Sequence, residues 1–112
     1  MTQHETLGGF QQLVMLAILR LGDEAYGARM QRELDETAGR SVSISTVYVT
    51  MERLERKGLV ESWLADPTPV RGGKSKRYYR LTKSGLRALR ESREELDRMW
   101  QGVESHPELK SS

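Results

Sequence analysis

The sequence predicts a mainly helical α+β domain with a two-stranded hairpin and one long closing helix, and three observations predict it. Apolar residues recur at helical spacing in three successive segments before Gly58. Two β-prone segments then flank a turn-rich stretch, DPTPVRGG, at Asp66–Gly73. A long stripe of leucines ending in Trp100 and Val103 closes the chain. Spacings of three and four mark helices, and short β-branched or aromatic runs bounded by Gly and Pro mark strands.

Each element has its own signal. Residues 1–8 are polar and glycine-ended, and read as a flexible arm. Phe10, Leu13, Val14, Ala17, Ile18 and Leu21 then repeat as a helix, and Met15, Leu16 and Leu19 make it apolar on almost every side. Such a helix is buried from more than one direction. Gly22 closes it, and Asp23 is the expected cap of a second helix carrying Tyr26, Met30 and Leu34 inward. After Ala38–Arg40, Ser43 or Ser45 starts a third helix that places Ile44, Val47, Met51 and Leu54 on one arc. Ser45, Thr46, Val49, Glu52 and Arg53 fall opposite.

Val60–Ala65 and Lys76–Leu81 are the expected strands. Thr82 or Ser84 starts the fourth helix, where Leu86, Leu89, Arg93, Leu96, Trp100 and Val103 form a heptad seam with one charged interruption. Three helices followed by a two-stranded wing make a winged helix-turn-helix. In that arrangement the third helix enters the major groove of DNA. The expected division is a flexible arm over 1–8, a winged helix-turn-helix over 9–81, a dimerisation helix over 82–105 and a flexible tail over 106–112.

The totals exclude several classes. The 112 residues suffice for one domain. There is no cysteine, so disulfides and thiolate metal sites are ruled out, and His4 and His106 lie far apart without ligand spacing. No metal or other cofactor is expected. The longest apolar run, Leu13–Leu19, is seven residues, too short to cross a bilayer, and the start carries no basic leader, so a cytoplasmic protein is expected. No phosphate loop and no nucleophile–histidine pairing point to an enzyme. The net charge of +2 hides an asymmetry: residues 1–39 carry three cations and six anions, and residues 40–80 carry nine cations and four anions. A positive middle third suits a polyanionic partner.

Two patches carry the functional expectation. On the third helix, Ser43, Ser45, Thr46, Tyr48, Val49 and Arg53 offer small hydroxyl, methyl and cationic groups to base edges and phosphates. Serine and threonine also act as simple caps. On the wing, Arg71, Lys74, Lys76 and Arg77 sit beside a glycine-rich turn that lets the backbone approach phosphates. A charged hairpin tip also guards a sheet edge, so the third helix decides between the two readings. For dimerisation, the expected interface is Phe10, Leu13 and Leu16 on the first helix with Leu89, Leu96, Trp100 and Val103 on the fourth. Arg93 is the candidate for pairing with the partner's acidic residues. Trp100, Trp63 and Met15 form a candidate pocket for a flat ligand.

The strings YG at Tyr26–Gly27, STVYVTMERLERKGLVES and KRYYRLTKSG, in this order and spacing, resemble the PadR family of bacterial transcriptional regulators over roughly residues 8–90. The resemblance implies a homodimeric repressor on a roughly palindromic operator, released by a small-molecule effector. It places the start of the recognition helix at Ser45, Thr46 and Tyr48, the basic wing at Lys74, Lys76 and Arg77, and the family's wing-strand tyrosine at Tyr79. Two departures stand out. Val49 follows the helix tyrosine where many relatives have proline, and one helix with a tail replaces the separate C-terminal domain of larger members. The rival reading is a winged-helix module that binds another regulator instead of DNA.

Overall fold

The computed structural model describes residues 7–65 and 76–110. Helices α1 (Gly9–Leu21), α2 (Gly27–Ala38) and α3 (Ile44–Arg56) precede strands β1 (Val60–Leu64) and β2 (Arg77–Leu81). Helix α4 (Lys83–Trp100) and a single turn, α5 (Pro107–Lys110), complete the chain. The strands form an antiparallel pair with Val60 opposite Leu81 and Trp63 opposite Tyr78. This is the expected winged helix-turn-helix.

The core is where the apolar spacing places it. Val14, Met15, Ala17 and Ile18 of α1 meet Met30 and Leu34 of α2 and Val47, Met51 and Leu54 of α3, all buried. Met15, Met30 and Met51 are fully buried, and such flexible side chains fill irregular gaps between helices. On α3 the buried arc is Val47, Thr50, Met51 and Leu54, with Ile44 only half-buried. Thr50 is tolerated inside because its hydroxyl donates to the Thr46 carbonyl at 2.9 Å. The wing is tied to the helices by its backbone: Tyr79 N–H donates to the Ala25 carbonyl at 3.0 Å, and Tyr26 bridges to Tyr78.

The junction of wing and α4 is the tightest point. Thr82 caps α4, its hydroxyl accepting from Gly85 N–H at 3.0 Å and donating to the Gly58 carbonyl at 2.7 Å. Its own N–H reaches the Leu59 carbonyl at 3.1 Å. Gly85 is buried there so closely that a Cβ would lie 2.0 Å from the Leu59 oxygen.

Several expectations at the edges are corrected. Leu7 belongs to the core at 5% exposure and not to a flexible arm, because its carbonyl accepts from Gln12 Nε2 and Gly8 starts α1. Asp23 does not cap α2; it sits in a 3-10 turn, Gly22–Glu24, and Tyr26 takes the cap position. Helix α4 ends at Trp100, not near 105, and Gly102 at φ 88 turns the chain. The tail then forms one helical turn, started by Pro107 and capped by His106 Nδ1 accepting from Glu108 N–H at 3.2 Å.

An ion pair joins α1 and α2. Arg20 donates to Glu33 at 2.7 Å and the Thr37 hydroxyl donates to the same oxygen at 2.6 Å. The Thr37 hydrogen bond, then that of Arg20, holds the Glu33 carboxyl below its usual range. A lowered folded pKa contributes stability above the ordinary carboxylate range and loses it as pH falls through the lowered value. Glu33→Gln should therefore unfold at lower urea than wild type at pH 7. The two midpoints should converge as pH falls through the carboxylate range.

Candidate nucleic-acid interface

Helix α3 turns its small residues outward because its apolar ones are used inward. Ser45, Thr46, Val49, Glu52 and Arg53 are all exposed, on the side away from Val47, Met51 and Leu54. Ser43 starts the helix: its hydroxyl accepts from Thr46 N–H at 3.1 Å and lies 2.9 Å from the Thr46 hydroxyl. Both hydroxyls keep capacity for a further partner. Glu52 pairs with Arg56 at 2.6 Å, so the outward positive charge of α3 rests chiefly on Arg53 and Lys57.

Tyr48 is not a freely projecting group. It is 45% exposed, yet its ring lies against the backbone of Gly27, where a Cβ would sit 2.4 Å from the Tyr48 hydroxyl oxygen. The glycine at the start of α2 is therefore a contact surface for α3. Replacing Tyr48 with alanine removes this half-exposed ring and leaves the core untouched. The fold should be retained, with duplex affinity reduced; unaltered binding would take Tyr48 out of the interface.

The base of the wing lies beside α3. Arg77 Nη1 donates to the Ser62 hydroxyl at 2.9 Å, and that hydroxyl donates to Glu55 Oε2 of α3 at 2.8 Å. On the opposite face of the strands the aromatic residues form a ladder. Lys76 Nζ lies 4.1 Å from the centre of the Tyr26 ring. Tyr26 meets Tyr78 edge-on at 5.6 Å, Tyr78 stacks on Trp63 at 6.2 Å, and Arg80 lies over Trp63 while pairing with Glu61. Tyr79, opposite Ser62 on the face turned to α3, is buried, which raises its hydroxyl pKa. Arg71 and Lys74 lie outside the described residues.

The chain matches the Transcriptional regulator PadR-like family over residues 15–91. It belongs to that family. Transcriptional regulator Rv3488 of Mycobacterium tuberculosis is 40% identical over 87 residues, covering 75% of this chain and 77% of that protein. A PadR family regulator from Eggerthella lenta superposes with a TM-score of 0.66 at 36% identity, covering 82% of this chain and 78% of the other. A PadR-like transcription factor from Bacteroides fragilis gives 0.68 at 26% identity, covering 86% and 88%. PadR proteins are transcriptional regulators and not enzymes. Among the described residues, no group of acidic residues and histidines could hold a metal, and no helix is long and apolar enough to cross a membrane.

Set against the PadR fold, the other candidate residues divide. Leu16, Leu96, Trp100 and Val103 keep 39–54% of their surface exposed, and Leu19 and Leu86 join them. Phe10 and Leu13 are half-buried against the core, and Leu89 is buried at 8% within its own chain, packing α4 on α1. Arg93 pairs with Asp97 one turn along its own helix at 3.5 Å, with both side chains exposed.

The candidate ligand-pocket residues lie in three separate places. Met15 is fully buried in the core. Trp63 lines a groove of about 550 Å³ between the wing and the end of α1. Trp100 instead shares an apolar cup with Leu96, Met99, Val103 and Leu109 at the far end of α4. The three residues do not form one cavity within the chain.

Sequence reading places Tyr26 in the apolar stripe of α2 and Gly27 in a motif; the structure adds that Tyr26 meets Lys76 and Tyr78 of the wing and that Gly27 lies against Tyr48 of α3. The available signal was a glycine in the first turn of a helix, where its low propensity needs a reason.

Proposed function

We propose that this PadR protein is a cytoplasmic, sequence-specific DNA-binding regulator that acts as a homodimeric repressor on a roughly palindromic operator. The carrying observation is the outward face of α3, Ser45, Thr46, Val49 and Arg53, braced to the basic wing base through Glu55, Ser62 and Arg77. Small side chains let a helix sit deep in a major groove, where hydroxyls and methyls meet base edges. Lys76 and Arg77, with Arg71 and Lys74 before them in the sequence, contact the neighbouring phosphates and set position without reading sequence.

Dimerisation supplies the second half-site. Leu16 and Leu19 of α1 and Leu86 and Leu96 of α4 line one apolar groove of about 440 Å³. The cup around Trp100 continues the same side of α4 through Leu96. Contiguous apolar surface of this kind marks an association site, and a second copy laying its α4 there would place two α3 helices on one face of the duplex. A small effector entering near the seam would release the operator by changing how the two copies sit.

The test compares binding to the DNA upstream of the protein's own gene with binding to a random duplex, at two salt concentrations. Preference for the upstream fragment, lost as salt rises, is expected. Absence of binding to either duplex at low salt would favour the protein-partner reading. The double substitution Lys76→Ala, Arg77→Ala should weaken binding to every duplex and lower the slope of log affinity against log salt by about two. An unchanged slope would remove the wing base from the interface.

A further inference from the structure

The two surfaces proposed to touch DNA meet at one dipeptide. Tyr26 takes the Lys76 ammonium on its ring at 4.1 Å and the edge of Tyr78 at 5.6 Å, so the base of the wing rests on it. Its backbone also bridges to Tyr78, and the preceding carbonyl, Ala25, accepts from Tyr79 N–H. The next residue, Gly27, is buried under the Tyr48 ring of the recognition helix, at a distance no side chain would allow. Wing and recognition helix also share the core through Val60 and Tyr79, and the exposed chain Arg77–Ser62–Glu55 links them at the surface.

We propose that Tyr26–Gly27 is a joint that fixes the wing and the recognition helix in one register, making both positioning residues for duplex binding. Tyr26 acts through Lys76: the ring holds a flexible four-carbon side chain in one place, so less freedom is lost when its ammonium meets a phosphate. Gly27 acts through Tyr48: without a Cβ it lets the phenol end of the ring come up against α2 and so sets which way the phenol points. The proposal rests on the DNA-binding reading above, and its test has one arm that needs no DNA.

The natural chain has no cysteine, so two introduced ones give unique labelling sites. Spin labels at Leu64→Cys on β1 and Glu52→Cys on α3, both exposed, report the wing-to-helix distance in protein diluted with unlabelled chain. One narrow distribution is expected for the otherwise native protein and for Tyr26→Phe, which keeps the ring. Tyr26→Leu should broaden it. A distribution unchanged by Tyr26→Leu overturns the joint, whether or not the protein binds DNA. Gly27→Ala meets the phenol end of the half-exposed Tyr48 ring, which can swing aside, so it should fold and should broaden the distribution even if Tyr26→Leu fails to fold.

The second arm uses a random duplex at two salt concentrations. Tyr26→Leu should lower affinity about tenfold and reduce the salt slope by about one, as Lys76→Ala does, while Tyr26→Phe retains both. In the Lys76→Ala background, Tyr26→Leu should add less than about twofold, because the ring acts through that lysine. A full additional loss would make Tyr26 a fold residue only and overturn the positioning role. Failure of the native protein to bind any duplex at low salt would overturn the DNA reading and leave the distance measurement to decide the joint.

Discussion

Gly85→Ala should destabilise the protein by about 3 kcal/mol, near the upper end of what overpacking a tight site costs. The reason is that both partners in the clash are backbone. A Cβ at Gly85 would lie 2.0 Å from the Leu59 oxygen and 3.0 Å from its carbonyl carbon. That carbonyl is itself held by Thr82 N–H at 3.1 Å, and Thr82 is pinned again through Gly58 and Gly85. The strain cannot be relieved by rotating a side chain. Either α4 moves off the β1 end of the wing or the Thr82 cap breaks, and losing a cap costs about 1 kcal/mol by itself. The measurement is the urea midpoint, with Gly9→Ala as control. Gly9 opens α1 with no atom within 4 Å of an added Cβ, so alanine there should be neutral or mildly stabilising. Equal midpoints for wild type and Gly85→Ala would mean that α4 is not seated on the Leu59 carbonyl.

Leu96→Glu should convert the proposed dimer to a monomer without unfolding the chain. Leu96 is 54% exposed and lies at the meeting point of the α1–α4 groove and the Trp100 cup. Within one chain it has little burial to lose, and glutamate suits a helix interior. Across a seam of leucines, a carboxylate on each copy loses its water without gaining a partner. The dimer dissociation constant should rise by at least a hundredfold, about 2.7 kcal/mol. Sedimentation should show half the mass with unchanged helix content. Operator affinity should fall steeply, because in the proposed arrangement each copy holds one half-site. Trp100→Ala should shift the equilibrium the same way but less, by removing a large apolar contact without adding a charge. A native-sized Leu96→Glu particle would place the interface elsewhere on the chain.

How much of this was legible beforehand depends on the kind of signal. The element order, the three buried helical faces and a serine or threonine cap at α3 and α4 follow from spacing and local hydrogen-bonding chemistry; the structure selects Ser43 over Ser45 and Thr82 over Ser84. These are short-range properties, repeated every three or four residues, and tertiary packing did not override them. The outward set on α3 followed too, because it is the complement of an apolar arc. The edges were less legible. Leu7 entered the core although its neighbours are polar, and Asp23 ceded the α2 cap to Tyr26 because the backbone first makes a 3-10 turn.

The sequence by itself determined a small helical domain with a wing, its core residues, its membership of the PadR-like family and which helix turns small polar residues outward. Only the tertiary structure decided which distant residues share a surface. It separated Met15, Trp63 and Trp100, joined Arg93 to Asp97 of its own helix, and brought Lys76 onto Tyr26 and Tyr48 onto Gly27. The physical reason is range. Periodicity and capping act over one or two turns of chain and can be read locally. A ring resting on a glycine 21 positions earlier in the chain depends on how two helices cross, and that is set by the packing of the whole core.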